Sequence, residues 1–160
     1  LSSRCPFPLG EGSDRATITF TATAADMDIT AANVTLIAPR FLTGIDAVAA
    51  AIHVAAADFH MINVEYYDAA AKATTIQVLT TSAADRMIID GYKYIVSTTG
   101  TQKTDGIKTV AGTGIILKNI DIRGDFSTGA VDVSTAAINI QLENLYLNNL
   151  STSPTYKFLS

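Results

Sequence analysis

An all-β parallel β-helix, a solenoid of about five turns, is the fold class this sequence predicts, and three observations predict it. The first is a broken alternation, in which two apolar residues spaced by two are followed, across a two-residue gap, by a second such pair. It occurs as Val34/Leu36/Pro39/Phe41, Phe59/Met61/Val64/Tyr66, Met87/Ile89/Tyr92/Tyr94, Ile115/Leu117/Ile120/Ile122 and Ile140/Leu142/Leu145/Leu147. The second is its period: successive copies begin 25, 28, 28 and 25 residues apart. The third is composition, since Thr and Ile abound and alternation by two dominates, against helical repeats. Strands with two inward residues each cannot form a sheet with their chain neighbours. They can pair with the equivalent strand one repeat away, about 4.8 Å along an axis, so that each turn buries its apolar residues against the next.

The elements follow in chain order. Residues 1–15, including "LSSRCPFPLGEGS", read as an irregular N-terminal lead-in or cap, expected to have lost an upstream part. Residues 16–150 read as the β-helix, with Ile18 and Phe20 as an extra first strand. A shorter apolar pair precedes each copy: Met27/Ile29, Ile52/Val54, Ile76/Val78, Ile107/Thr109 and Val131/Val133. The two-residue gap reads as a sharp bend whose second residue is Ala38, Asn63, Gly91, Asn119 and Asn144 in successive turns. Asn and Gly tolerate positive φ, and stacked Asn side chains can hydrogen-bond along the axis as a ladder. Ala38, ahead of Pro39, departs from the pattern, so the first repeat is expected to bend differently. Residues 79–86 and 95–106 lengthen the third repeat as loops. Residues 151–160, "STSPTYKFLS", read as a C-terminal cap or docking tail carrying Tyr156, Phe158 and Leu159.

Composition narrows the functions. The chain has 160 residues, 48% hydrophobic and 16% charged, enough apolar material for one core. Net charge is −4 and the basic residues are scattered, which argues against nucleic acid as a partner. No apolar run approaches the length of a membrane helix, so no membrane partner is expected. Cys5 is the only cysteine; no internal disulfide can form, and no His or Asp context makes Cys5 reactive.

The outward positions form columns along the stack. One column reads Arg40, Glu65, Lys93, Asp121 and Tyr146, an alternation of sign that stabilises a stack rather than an acid pair. Another reads Asp28, His53, Gln77, Lys108 and Asp132, where His53 beside Asp28 reads as a surface hydrogen bond in the absence of a nucleophile. With His53 and His60 the only histidines, zinc is poorly supported. The tripeptide Arg123–Gly124–Asp125 reads as a turn built on Gly124 rather than an adhesion motif. The glycines of "AGTG" and "STTGTQKTDG" lack the strand-to-helix context of a phosphate cradle. No residue is assigned a catalytic, cofactor-binding or metal-ligating role, and no cofactor is expected. A third column, Thr35, His60, Ile88, Ile116 and Gln141, turns two isoleucines outward on adjacent turns. Either another subunit or the long loops covers them. Ile88, Ile116, Thr101, Gln102 and Lys103 are therefore the candidate contact residues, beside the structural bend ladder Asn63, Gly91, Asn119 and Asn144.

Turns of this length, the two-residue bend and the Asn ladder resemble the right-handed parallel β-helix of the pectin-lyase-like superfamily. The segments "RATITFTATAADMDITAANVTLIAPRF", "AAIHVAAADFHMINVEYY", "AADRMIIDGYKY" and "IRGDFSTGAVDV" are similar to bacteriophage and prophage virion proteins on that scaffold. The resemblance implies a right-handed coil and a non-enzymatic structural role in a phage particle. The expected protein is a capsid decoration protein on the virion surface, a homo-oligomer with a trimer favoured, contacting the major capsid protein or other virion proteins. The alternative is a tail-fibre or tailspike fragment that binds or cleaves a bacterial surface glycan in an open groove lined by aromatics and acids. Tyr66, Tyr92 and Tyr94 fall at inward positions, so exposure of these rings with Tyr67, or Glu65 and Asp90 about 5–9 Å apart in a cleft, would favour it.

Overall fold

A computed structural model describes residues 15–69, 71–95 and 103–150, and every regular element in them is a strand. They are β1 (Thr17–Phe20), β2 (Met27–Ile29), β3 (Thr35–Ile37), β4 (Arg40–Thr43), β5 (Val48–Val54), β6 (His60–Asp68) and β7 (Thr74–Thr80). There follow β8 (Ile88–Ile95), β9 (Lys103–Thr109), β10 (Gly112–Thr113), β11 (Ile116–Gly124), β12 (Phe126–Val133), β13 (Ala137–Ile138) and β14 (Gln141–Asn149). One sheet runs β1-β4-β6-β8-β11-β14, with β3 also on β6; a second runs β12-β9-β7-β5-β2; β10 and β13 form a small third. All of these pairings are parallel. The result is the expected β-solenoid of about five turns.

The predicted rows are present in register. Leu36, Met61, Ile89, Leu117 and Leu142 align, as do Phe41, Tyr66, Tyr94, Ile122 and Leu147. At the head of each repeat the amides of His60, Ile88, Ile116 and Gln141 donate to the carbonyls of Val34, Phe59, Met87 and Ile115, each at 2.9 Å. Central residues of the rows are fully buried, whereas Val34, Leu36, Ile140, Leu145 and Leu147 at the ends are only partly so. This gradient is what stacking demands, since an interior turn has apolar neighbours on both sides. Five rings, Phe20, Phe41, Tyr66, Tyr94 and Phe126, continue along the interior with successive centroids 6.0 to 6.1 Å apart. That spacing lies within the favourable range for aromatic pairs.

The bend residues take positive φ, 52° at Asn63, 75° at Gly91, 54° at Asn119 and 51° at Asn144. Ala38 differs from expectation: its φ of 54° gives the first repeat the same bend, held by its amide donating to the Ile62 carbonyl at 2.8 Å. What Pro39 changes is continuity. It has no N–H for the ladder, so this turn breaks into β3 and β4 where later turns run through the bend as one strand. Along the ladder Asn144 Nδ2 donates to Asn119 Oδ1 at 2.8 Å, and Asn119 Nδ2 donates to Asp90 Oδ1 at 2.7 Å. At Gly91 an added Cβ would lie 2.6 Å from Asn63 Oδ1. Gly91→Ala is therefore expected to cost about 1–2 kcal/mol, the penalty of a left-handed L-residue. In urea unfolding, adding Asn63→Ala should recover only the part due to the clash.

The second sheet corrects one expectation. Ile52 and Val54 align with Val78 and Thr80, not with Ile76 and Val78, and the column then continues through Ile107/Thr109 to Val131/Val133. Alternation fails here because consecutive residues both face the core: Ala51 with Ile52, Gln77 with Val78, Ala130 with Val131, all buried. Gln77 is thus interior, and the column in register with Asp28 and His53 runs through Leu79, Lys108 and Asp132, the last of which is buried rather than outward. Residues 79–80 likewise belong to β7 and 103–106 to β9 rather than to loops. The expected lead-in through residue 14, the tail 151–160, Cys5, Thr101 and Gln102 lie outside the described residues.

Candidate functional site

The wall formed by the first halves of β6, β8, β11 and β14, together with β3, carries the predicted outward column. Thr35, His60, Ile88, Ile116 and Gln141 are aligned partners. Two residues along each strand, a parallel column reads Ile37, Ile62, Asp90, Lys118 and Glu143. Four isoleucines therefore share one outer face: Ile37 is 66% exposed, and Ile62, Ile88 and Ile116 are half-buried. Beside them Lys118 Nζ lies 3.0 Å from Asp90 Oδ2. The Asn119 hydrogen bond, reinforced by Lys118, holds the Asp90 carboxyl below its ordinary value.

Beyond the bend, the column Arg40, Glu65, Lys93, Asp121, Tyr146 is also in register. Its charges are only partly paired along the axis. Arg40 meets Glu65 at 3.1 Å, but Asp121 pairs with Arg123 of its own strand at 2.7 Å, and that guanidinium also lies over the Tyr146 ring at 4.5 Å. Burial acts to raise the Glu65 pKa, yet hydrogen bonds from Arg40 and Tyr67 and the charges of Arg15 and Arg40 bring it below its ordinary value. A groove of about 250 Å³ runs along the ladder between Arg15, Glu65, Gly91, Lys93, Asn119 and Asp121. Both of its carboxylates are paired to arginines, Glu65 to Arg40 and Asp121 to Arg123.

On the second sheet, His53 Nδ1 lies 2.9 Å from Asp28 Oδ1, as the sequence expected. His53 also borders a hollow of about 180 Å³ lined mainly by Ala24, Ala25, Ala49, Ala50 and Leu79. Among the described residues, no group of three or more His, Cys, Asp and Glu is placed to hold a metal.

Arg123–Gly124–Asp125 is not displayed as a loop tip. Gly124 ends β11 and is buried. A Cβ there would meet Tyr94 Cε1 at 2.9 Å and the Phe126 ring at 3.0 Å. Gly124 is required by close ring packing, not by a turn dihedral.

Lys103 is placed inside the solenoid rather than in an exposed loop. It begins β9, is 2% exposed, and its Nζ lies 3.1 Å from Asp68 Oδ2 and 5.5 Å from the Tyr94 ring centre. Tyr94 OH donates to the same carboxylate oxygen at 2.5 Å. Nearby, the hydroxyls of Thr43, Tyr66 and Thr74 close a triangle of 3.0, 2.6 and 2.7 Å, and Tyr92 OH donates to Gln77 Oε1 at 3.1 Å. Tyr66, Tyr92 and Tyr94 are thus interior, as their register implied.

Burial pushes the Tyr66 hydroxyl from 10.0 up to about 12. Burial first, then the Asp68 charge among its neighbours, raises Tyr92 and Tyr94 as well. An unfolded tyrosine loses its proton more readily than these folded ones. Their contribution to stability is whole below pH about 10 and falls as pH rises toward and through about 12. Spectrophotometric titration is expected to show these three ionising only together with alkaline unfolding.

A second ladder escaped the sequence reading. Asn33, Asp58, Arg86, Gly114 and Asn139, each just ahead of a repeat, all have positive φ, between 55° and 71°. They step by the same period, and Arg86 and Asp58 pair at 2.6 Å. The signal available was Asn, Asp or Gly at that place in four of the five repeats.

Comparison with family models, with curated proteins and with solved structures returned no match.

Proposed function

We propose that this chain is a non-enzymatic structural protein of a bacteriophage particle, a decoration protein on the capsid surface that acts as a homo-oligomer, with a trimer favoured. The viral context rests on the resemblance of the quoted segments. The observation that carries the contact role is the isoleucine face, Ile37, Ile62, Ile88 and Ile116, on a rigid wall. A stiff stack holds these side chains at fixed spacing, so each copy offers a modest contact. Many copies engaging at once give strong attachment.

The test is the location of the chain in intact particles by electron microscopy and mass spectrometry. Copies spread over the whole shell are expected. Confinement to the tail would transfer the assignment to the glycan-binding alternative, and absence from particles would end the viral reading. With particles in hand, Ile88→Lys/Ile116→Lys is expected to weaken attachment by roughly tenfold or more, the effect of losing about 1.4 kcal/mol. Both side chains face outward, so the circular dichroism spectrum should not change.

A further inference from the structure

The isoleucine face is built to meet itself. We infer that two copies of this chain pair through it, antiparallel, about a two-fold axis lying in the wall midway between β8 and β11. Such an axis runs along the strands and inverts the solenoid, so each outward column faces its own reverse. In the first column Ile88 then meets Ile116 of the second copy, and His60 meets Gln141. In the second column Asp90 meets Lys118 of the second copy, and Lys118 meets its Asp90.

Each copy therefore supplies both members of every contact, as an isologous interface requires. Opposite charges fall opposite one another, and two pairs of isoleucines fill the centre. Glu143 of the second copy comes to the column beside His60 and opposite Ile62, where its aliphatic stem covers the isoleucine and its carboxylate reaches toward the imidazole. Asp90 and Lys118 already pair within one copy at 3.0 Å, and about this axis the two ion pairs meet head to tail, opposite charge against opposite charge.

The face is small. Four turns at about 4.8 Å, with two outward residues per strand, cover roughly a few hundred Å², below the about 800 Å² per partner of a standing complex. The pair is accordingly weak and concentration-dependent, formed where copies are crowded. It is a contact separate from any three-fold one, it withdraws Ile88 and Ile116 of a paired copy from contact with a shell, and it does not depend on the virion assignment.

Charge exchange tests it. Asp90→Lys makes the face basic and Lys118→Asp makes it acidic, so each variant should repel itself. An equimolar mixture restores the opposite charges in a heterodimer. Sedimentation of the wild type over a concentration series is expected to show two-fold association. Each single variant should associate at least tenfold more weakly, and the mixture should return to the wild-type level. A misfolded variant could not recover on mixing, so recovery also verifies the fold. The inference is overturned if the wild type shows no association through this face, or if the mixture behaves as the sum of its two components.

Discussion

Lys103→Met is expected to destabilise the fold by about 3–5 kcal/mol, the range for removing one member of a buried ion pair. Asp68 and Lys103 side chains are 4% and 2% exposed and lie 3.1 Å apart. Without the ammonium, the Asp68 carboxylate keeps the Tyr94 hydroxyl but has no counter-charge in a medium that solvates it poorly. Asp68 ends β6 and Lys103 begins β9, so the pair also ties the first sheet to the second. The discriminating control is Asp68→Leu combined with Lys103→Met, which removes both charges. Replacing a buried pair by apolar groups is often neutral or better, so the double variant should be more stable than the single one in urea unfolding. Equal losses would mean that Lys103 matters for packing rather than for charge.

Met87→Ala should cost about 2–5 kcal/mol, whereas Ile140→Ala should cost less than about 2 kcal/mol, although both occupy the same inward row. Met87 is fully buried between the turns of Phe59 and Ile115. Ile140 heads the last described turn and is only partly buried. In a globule with one shared core, position along the row would not matter. In a stack it does, because an interior truncation leaves a cavity against two turns and an end truncation against one. Paired denaturant curves for the two variants measure the difference.

The first sheet was legible because its walls obey strict alternation, and because the residues that must take positive φ at the bend are mostly Asn or Gly. The five-stranded sheet was less so. Two adjacent inward residues, such as Gln77 and Val78, break the period of two, and the eye then aligns Ile76 where Val78 belongs. Lys103 was misplaced for a different reason: "TQKTDG" carries polar residues that read as a loop, and nothing local reveals that Asp68, thirty-five positions away, waits inside to neutralise it. The second ladder was hidden by Arg86, whose left-handed backbone is held by the stack rather than favoured by residue type. The isoleucine face was found by the opposite logic, since Ile88 and Ile116 violate the polar rule for outward positions. Ile37 and Ile62 joined it only once the strand register was known.

Scalar couplings across hydrogen bonds in the isotope-labelled protein test the stacking most directly. Four are predicted: from the amides of His60, Ile88, Ile116 and Gln141 to the carbonyls of Val34, Phe59, Met87 and Ile115. All four together are the expected result, one for each step between successive turns. Couplings instead to strands adjacent in sequence, or to carbonyls at a different register, would contradict the solenoid.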